Sequence, residues 1–538
     1  MIALHRTLLY DHHDFILASQ HPSASPALRK LATKYAMPAR MWKHGIHSFL
    51  ELLRHRLPAS LDHMLAFIYL AYSMMALLYE TVPAFEDTWI ECLGDLGRYR
   101  MAIEDDDIRD RENWTNVARQ WYSKASDKSP TTGRLYHHLA ILARPNALQQ
   151  IFYYSKSLSV AQPFPSARES VLTLFDPALK ASQSQSRSPT IDSTFVKVHA
   201  SLFTGKQFDT ITESTKEFTS LLDSYIGRVT RKYVEQGYYI AVANSVALLN
   251  FGADDNPLNR CIAASRGEDG KDSTSPAQET PSRAIETFEK ARELNHQTLA
   301  ITLERIGDPN VLPYLHVTLV FMLHMGQFGG AVDLLAHTFP WEALSRFLNT
   351  LIGAPSAQHG VGPSMKFPVP DADDLRPFPE DWAMCGLLWT EKYFPSNWFS
   401  NPKIEDEEKY HEKPSMTSER KDRILYIACT LANSSFSNEL KYDEATRRFS
   451  SKRALHQQNI QPIDMERQMS MDSVTEGAES TAEDDDIKPI FRSDTLPTVI
   501  TDAEETDEPI SEIEDCHTVV QEIHDATDAA HGDIQMEG

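Results

Sequence analysis

Apolar residues recur at three- and four-residue spacing along most of the first 460 positions, and extended two-residue alternation is absent. Between Ala39 and Arg56, the positions Met41, Gly45, Phe49, Leu52 and Leu53 fall on one side of a helix. Pro58 ends that helix, and Ser60 can cap the next. Ser60–Glu80 is apolar almost all round, which predicts a helix buried in the middle of a bundle. After Pro83 the pattern predicts helices over Trp89–Glu104, Asn113–Ala125, Gly133–Ala143 and Ala147–Val160, the last stopped by Pro163-Phe164-Pro165. Further helical stretches are Thr194–Gly227, Arg228–Asn250, Ser282–Arg305, Leu312–Gly326 and Gly330–Leu351. Trp382–Tyr393 and Arg420–Ala432 close the series, and Glu444–Gln458 reads as a basic helix that continues or frays. The expectation is an all-α protein.

Repeat structure is present but irregular. Ala118, Tyr122, Ala125 and Pro130 have the spacing of the small and terminating positions of a tetratricopeptide repeat. Small residues let the two helices of a hairpin approach closely, and Pro stops the second. Leu93-Gly94 fits the first half of such a repeat, but an acidic insertion, Glu104–Arg111, separates the halves. The expected architecture is therefore repeat-like helical hairpins stacked in layers.

Charge then divides the chain. The formal net charge is −24, yet Gln461–Gly538 alone holds 23 acidic and 3 basic residues. The first 460 positions, with 49 basic and 53 acidic residues, are nearly neutral. The acidic segment has a single aromatic residue, Phe491, and its composition predicts a disordered tail. Three polar stretches read as loops: 181–189, 265–283 and 353–379. The domain reading is 1–167 as an N-terminal helical domain, 168–460 as a helical-hairpin domain with mobile insertions at 265–283 and 353–379, and 461–538 as the tail. The longest apolar stretch, Met64–Tyr79, falls short of the roughly 20 residues that cross a bilayer. No membrane partner and no secretory leader are expected. The five cysteines are dispersed, without a CxxC pair, so neither a zinc site nor a disulfide framework is expected and the compartment is nucleus or cytoplasm.

Catalytic motifs are missing: there is no GxxxxGK[ST], GxGxxG, HExxH or GxSxG. The tail's carboxylates, such as Asp484, Asp485 and Asp486, lack rigid elements to hold them for metal-assisted chemistry. His12-His13 and the pair His44 and His47 could ligate a metal, but the first pair lies near a terminus facing water and the second on a basic face. No catalytic residues, no metal and no cofactor are expected. That basic face carries the chemistry. Lys43, His47 and Arg54 lie along one helix, with His47 and Arg54 two turns apart. Arg98, Tyr99 and Arg100 lie on a second helix. Packed side by side, the two helices would form a groove in which guanidinium groups and a phenol clamp a phosphate. The same spacing also allows a solvated face with local ion pairs from Arg98 or Arg100 to Asp95 or Glu91.

Several stretches resemble a known family: MWKHGIHSF (41–49), CLGDLGRYR (92–100), ARQWYSKASDKSPTTGRLYHHLAILA (118–143), IFYYSKSLSVAQPFPSA (151–167) and FVKVHASLFTG (195–205). Further on, PEDWAMCGLLWTEKYFPSNWF (379–399) and RILYIACTLA (423–432) extend the likeness. The chain resembles the telomerase-activating (ever-shorter-telomeres) and SMG nonsense-mediated-decay adaptor family. The resemblance implies a 14-3-3-like, tetratricopeptide-like helical bundle continuing into a helical-hairpin domain. It implies binding of phosphorylated Ser/Thr peptides, with the arginine and tyrosine of the family's LGD-x-x-RY motif falling on Arg98 and Tyr99. The family's lysine, five residues after the first-motif Trp, is here His47, and Lys43 or Arg54 could substitute for it. Neutral imidazole is a weaker phosphate ligand than lysine. Family members with a PIN nuclease domain are unlike this chain, whose last residues are the acidic segment.

Three functions follow as expectations. One is a non-enzymatic adaptor that recruits a phosphorylated, helicase-like decay factor through Lys43, His47, Arg54, Arg98 and Tyr99. Another is a telomerase-associated factor binding single-stranded DNA or telomerase RNA. The third is an interaction scaffold whose phosphate pocket has decayed. Ser182 and Ser184, each followed by Gln, could be kinase sites.

Overall fold

The computed structural model describes residues 1–452 except 106, 181–188, 267–281, 353–361, 363, 370–374, 402–403 and 405–407. Ser182 and Ser184, most of the polar stretch 265–283, much of 353–379 and the acidic segment 461–538 lie outside the described residues.

The chain is helical, as its periodicity predicts. The N-terminal part holds α1 (Ile2–Gln20), α2 (Pro26–Lys34), α3 (Met37–Arg40), a π-helical stretch Met41–His47, α4 (Ser48–Arg54), α5 (Leu61–Thr81) and α6 (Glu86–Ala102). The next helices are α7 (Ile108–Lys128), α8 (Gly133–Leu142), α9 (Ala147–Ser157), α10 (Ala167–Ser170), α11 (Leu172–Lys180), α12 (Ile191–Thr204), α13 (Ile211–Val229) and α14 (Tyr233–Leu248). The series ends with α15 (Pro257–Arg266), α16 (Ser282–Glu304), α17 (Leu312–Met325), α18 (Gly329–Ala336), α19 (Trp341–Leu351), α20 (Pro379–Met384) and α21 (Met416–Ala432). Local chemistry sets several starts. The Ser25 hydroxyl accepts the Leu28 N–H with Pro26 in the first turn, Asp107 caps α7, and Thr190 with Ser193 forms a capping box on α12. Ser60 does not cap α5; its hydroxyl donates back to the Leu53 carbonyl at 2.5 Å, tying off α4.

The π-helical stretch interrupts what the sequence predicts as one uniform helix from Ala39 to Arg56. Wider π turns are rare and concentrate at functional sites. Here the stretch turns Met41, Trp42, Gly45, Ile46 and His47 inward. The Asp11–Asp14 run, expected near water, lies within α1, and His13 is buried. Helix α5 is long and apolar enough to cross a bilayer by length and composition, outrunning the stretch Met64–Tyr79. Its Met64, Phe67, Ile68, Ala71, Met74, Met75 and Leu78 are nonetheless buried, packed in one cluster with residues of α1, α4 and α6.

Helices α6 and α7 form the close hairpin that the small-residue spacing predicts. A methyl group on Gly94 would stand 3.1 Å from the Tyr122 ring, and one on Gly97 3.2 Å from the Ala118 methyl. A small cluster around Ile90, Ala118, Tyr122 and Leu139 joins this hairpin to α8. The largest core cluster runs from Ala140 to Phe449.

The segment from Phe378 to Phe399 folds back across the body. Leu387 bridges to Val160, and the Leu388 N–H donates to the Ser159 carbonyl at 3.0 Å. Glu380, Asp381, Arg420 and Arg423 are all buried there. Arg420 reaches both Glu380 oxygens, at 2.5 and 3.0 Å, and both Glu412 oxygens, at 2.8 and 3.0 Å. His316 completes the set, with Nδ1 3.0 Å from Glu380 and Nε2 2.8 Å from the Tyr393 hydroxyl. Buried charges are tolerable only when paired in this way.

One stretch departs from the all-helical expectation. Where a basic helix was expected from Glu444, the strands β1 (Leu440–Asp443) and β2 (Arg448–Ser451) pair antiparallel, Tyr442 opposite Phe449. The cause is partly local: the Asp443 carboxylate accepts the Ala445 N–H and the Thr446 hydroxyl, closing a turn. The rest is tertiary. The Asn349 side chain on α19 bonds both the N–H and the carbonyl of Phe449, at 2.8 and 2.9 Å, as a third strand would.

Candidate functional site

The candidate groove lies between the stretch Met41–Arg54 and α6. On α4, Glu51 is four residues after His47 and three before Arg54, so all three share one helix face. Arg54 donates from Nε and Nη2 to Glu51 Oε2 at 3.0 and 2.7 Å. From α6, the Tyr99 hydroxyl donates to Glu51 Oε1 at 2.7 Å. His47 Nδ1 lies 2.8 Å from the same hydroxyl. A phenol has one proton, and Glu51 takes it, so His47 must carry its proton on Nδ1 and donate. The result is a relay from His47 through Tyr99 to a carboxylate that Arg54 also grips. Trp42 stacks on the His47 ring with centroids 6.4 Å apart. His47 and Tyr99 are buried, at 6 % and 2 % exposure, whereas Glu51 and Arg54 keep 21 % and 15 % of their side chains in water.

The other two expected residues sit elsewhere. Lys43 lies beside Arg40, His44 and His12; burial, then the charges of Lys43 and Arg40, lower the His44 pKa. Arg98, although adjacent to Tyr99, faces a different neighbourhood, because consecutive helix residues diverge by about 100°. It pairs with Asp95 at 3.4 Å, and Asp95 also accepts the Tyr122 hydroxyl at 2.5 Å. Arg98 belongs to a buried basic cluster with Arg134, His137 and His138. Burial, then the charges of Arg98 and Arg134, push His137 down to about 3, and His138 is held well below the usual imidazole range. His137 is bonded through Nε2 to the Ser170 hydroxyl at 2.8 Å. Arg100 folds onto the acidic insertion, reaching Glu104 at 2.7 Å and Asp110 at 2.5 Å.

Of the five residues singled out by sequence, the structure thus brings His47, Arg54 and Tyr99 together around one carboxylate. It sets Lys43 on the neighbouring basic surface and Arg98 in the buried cluster with α8. Glu51 joins His47, Arg54 and Tyr99 from outside that set, and its spacing from His47 and Arg54 is the sequence signal that finds it. The chemistry available is oxyanion binding by guanidinium and phenol donors, with the imidazole holding the phenol in place. Among the described residues, no group of three His, Cys, Asp or Glu side chains is placed to hold a metal ion.

Comparison with known proteins connects this fold to a group of nucleic-acid and decay factors. The family described as Est1 DNA/RNA binding domain matches residues 118–360. A telomerase-binding protein EST1A of Danio rerio is 37 % identical over 99 residues, 18 % of this chain and 6 % of that protein. A nonsense-mediated mRNA decay factor SMG7 of the same organism is 30 % identical over 122 residues, 22 % of this chain and 9 % of that protein. The chain therefore spans less than a tenth of the length of these relatives. A crystal structure of Est1 and Cdc13 superposes with a TM-score of 0.55 at 11 % identity, covering 83 % of this chain and 95 % of that one, a likeness of fold. By these matches residues 118–360 form an Est1 DNA/RNA binding domain, with a telomerase-binding EST1A and the decay factor SMG7 among its homologues.

Proposed function

We propose that this protein is a non-enzymatic adaptor that docks phosphorylated Ser/Thr segments of a partner in the groove between α4 and α6. The observation that carries this reading is the Glu51 carboxylate itself, held by Arg54 and Tyr99 with His47 beside them. A site that grips one oxyanion with a guanidinium and a phenol has the donors that a phosphate needs. The partner class, a phosphorylated decay factor of helicase type, takes support from the kinship with SMG7, a nonsense-mediated decay factor. Function in the nucleus, the cytoplasm or both accords with that kinship. Arg98 supports the groove from the neighbouring cluster instead of contacting the ligand, and Lys43 extends the positive surface at its end. Calorimetric titration with phosphorylated and unphosphorylated Ser/Thr peptides tests the reading. Phosphorylated peptide should bind, and Arg54→Glu should abolish that binding. Equal binding of both peptides would end the proposal.

A second reading, binding of single-stranded DNA or telomerase RNA, is favoured by a different feature. Arg228, Arg231 and Lys232 are exposed at the turn between α13 and α14, within the span matching the Est1 DNA/RNA binding domain. Three cations on one turn suit a phosphodiester backbone, and kinship with a telomerase-binding protein points the same way. Replacing all three with Ala should weaken oligonucleotide binding and flatten its dependence on salt. An unaltered salt slope would remove that surface from consideration.

A further inference from the structure

We propose that Glu51 is a built-in competitor for the groove, a latch that makes the site accept a phosphate dianion and refuse a carboxylate. The inference rests on the phosphopeptide reading above and assigns what sets its specificity. Glu51 already takes the bonds a ligand oxyanion would take: two from Arg54, at 3.0 and 2.7 Å, and one from Tyr99, at 2.7 Å. It does so from the same helix face, so its effective concentration at those donors exceeds that of any peptide in solution. An incoming Asp or Glu side chain carries the same single charge and the same planar pair of oxygens. Exchanging Glu51 for it gains nothing and orders a second molecule. A phosphate differs on both counts, with −1.5 to −2 charges near neutrality and three terminal oxygens. It can hold Arg54 and Tyr99 and still keep an oxygen in water.

The latch is also able to leave. Its carboxylate is part-exposed, at 21 %, while Tyr99 beneath it is 2 % exposed. Rotation about the Glu51 side chain would move the charge into water without disturbing the core. Had it remained in place, its negative charge would lie against the bound phosphate and oppose it. Phosphate binding and Glu51 displacement are therefore one event, with Arg54 and Tyr99 exchanged from one anion to the other.

The test uses the full chain as wild type, Glu51→Gln and Glu51→Ala. Each is titrated with a degenerate phosphoserine/phosphothreonine peptide pool, the same pool with Asp or Glu at the phosphorylated position, and the unmodified pool. Wild type should bind the phosphorylated pool at least about tenfold more tightly than the acidic one. Both variants should tighten phosphopeptide binding by about tenfold and gain binding to the acidic pool. If phosphopeptide binds wild type but neither variant changes its affinity or its preference, the latch is overturned while the groove reading stands. Wild type binding acidic and phosphorylated pools equally would overturn the latch with no variant needed. If phosphorylation makes no difference to any of the three proteins, the groove reading itself falls, and the latch with it. Circular dichroism of both variants separates lost binding from lost folding.

Discussion

Tyr99 joins the two helices of the groove through a single oxygen, donating to Glu51 and accepting from His47. Removing that oxygen leaves the His47 N–H without its acceptor in a buried place and strips one donor from the carboxylate. Tyr99→Phe should therefore destabilise the protein by about 1–3 kcal/mol, the usual penalty for a buried polar group left unmet. Urea unfolding followed by circular dichroism measures it, and an unshifted midpoint would show that the relay carries no stability. Residue spacing made His47, Arg54 and Tyr99 legible, since two turns of one helix and a motif on the next suffice to pair them. It did not reveal that Arg98 would part company with Tyr99. Which way each of two adjacent side chains faces depends on how α6 packs against α7 and α8, and Asp95 and Tyr122, which fix Arg98, come together only in three dimensions. Glu51 escaped for the opposite reason: a lone acid on a basic helix reads as a solvated counter-charge until Tyr99 arrives from 48 residues away.

At the scale of elements, helices were readable because their apolar period is intrinsic to the local chain. Gly94 and Ala118 foretold the contact of α6 with α7, because close helix approach demands small residues on the meeting face. The π-helical stretch Met41–His47 and the β1–β2 hairpin were not readable. The hairpin depends on the Asn349 side chain, 100 residues from Phe449. The return of α20 onto α17 and α21 was equally hidden, for it depends on charges that look solvated in sequence. Burial alone raises the Glu380 carboxyl, but Arg420 and then His316 outweigh it and hold the group down at about 2. A carboxyl depressed in the folded state adds stability above its unfolded value and loses it as pH falls toward the folded one. Glu380→Gln should thus cost about 3–5 kcal/mol near neutrality, because it takes from the buried Arg420 one of its two carboxylate partners among the described residues and leaves Glu412. It should also remove part of the stability loss that wild type suffers between about pH 4 and 2. Denaturant titrations at pH 7 and pH 3 measure both, and an equal deficit at the two values would exclude the linkage.

The whole molecule combines a nearly neutral body with an acidic segment, and each half predicts a different response to the medium. Inside the body, burial pushes His137 and His296 down to about 3 and His199 to about 4. Such histidines are neutral when folded, and the unfolded chain takes up their protons first. Their stabilisation is complete above about pH 6.5 and is lost as pH falls toward the folded values. Calorimetric scans from pH 7 to 5 should show a steady fall in unfolding temperature, and a flat profile would contradict the burial of these rings. The acidic segment bears on the proposed ligand instead. Its 23 acidic residues against 3 basic ones are joined to a body in which Arg54 holds a carboxylate, so a phosphorylated ligand docking there as proposed would meet the segment's like charge in the same molecule. That repulsion operates over about 10 Å at 0.1 M salt and about 3 Å at 1 M. Truncation after Ile460 should therefore tighten phosphopeptide binding at low salt and leave it unchanged at high salt. A gain that persists at 1 M salt would point to a direct contact of the segment with the groove, and no gain at low salt would show that its charge does not reach the site.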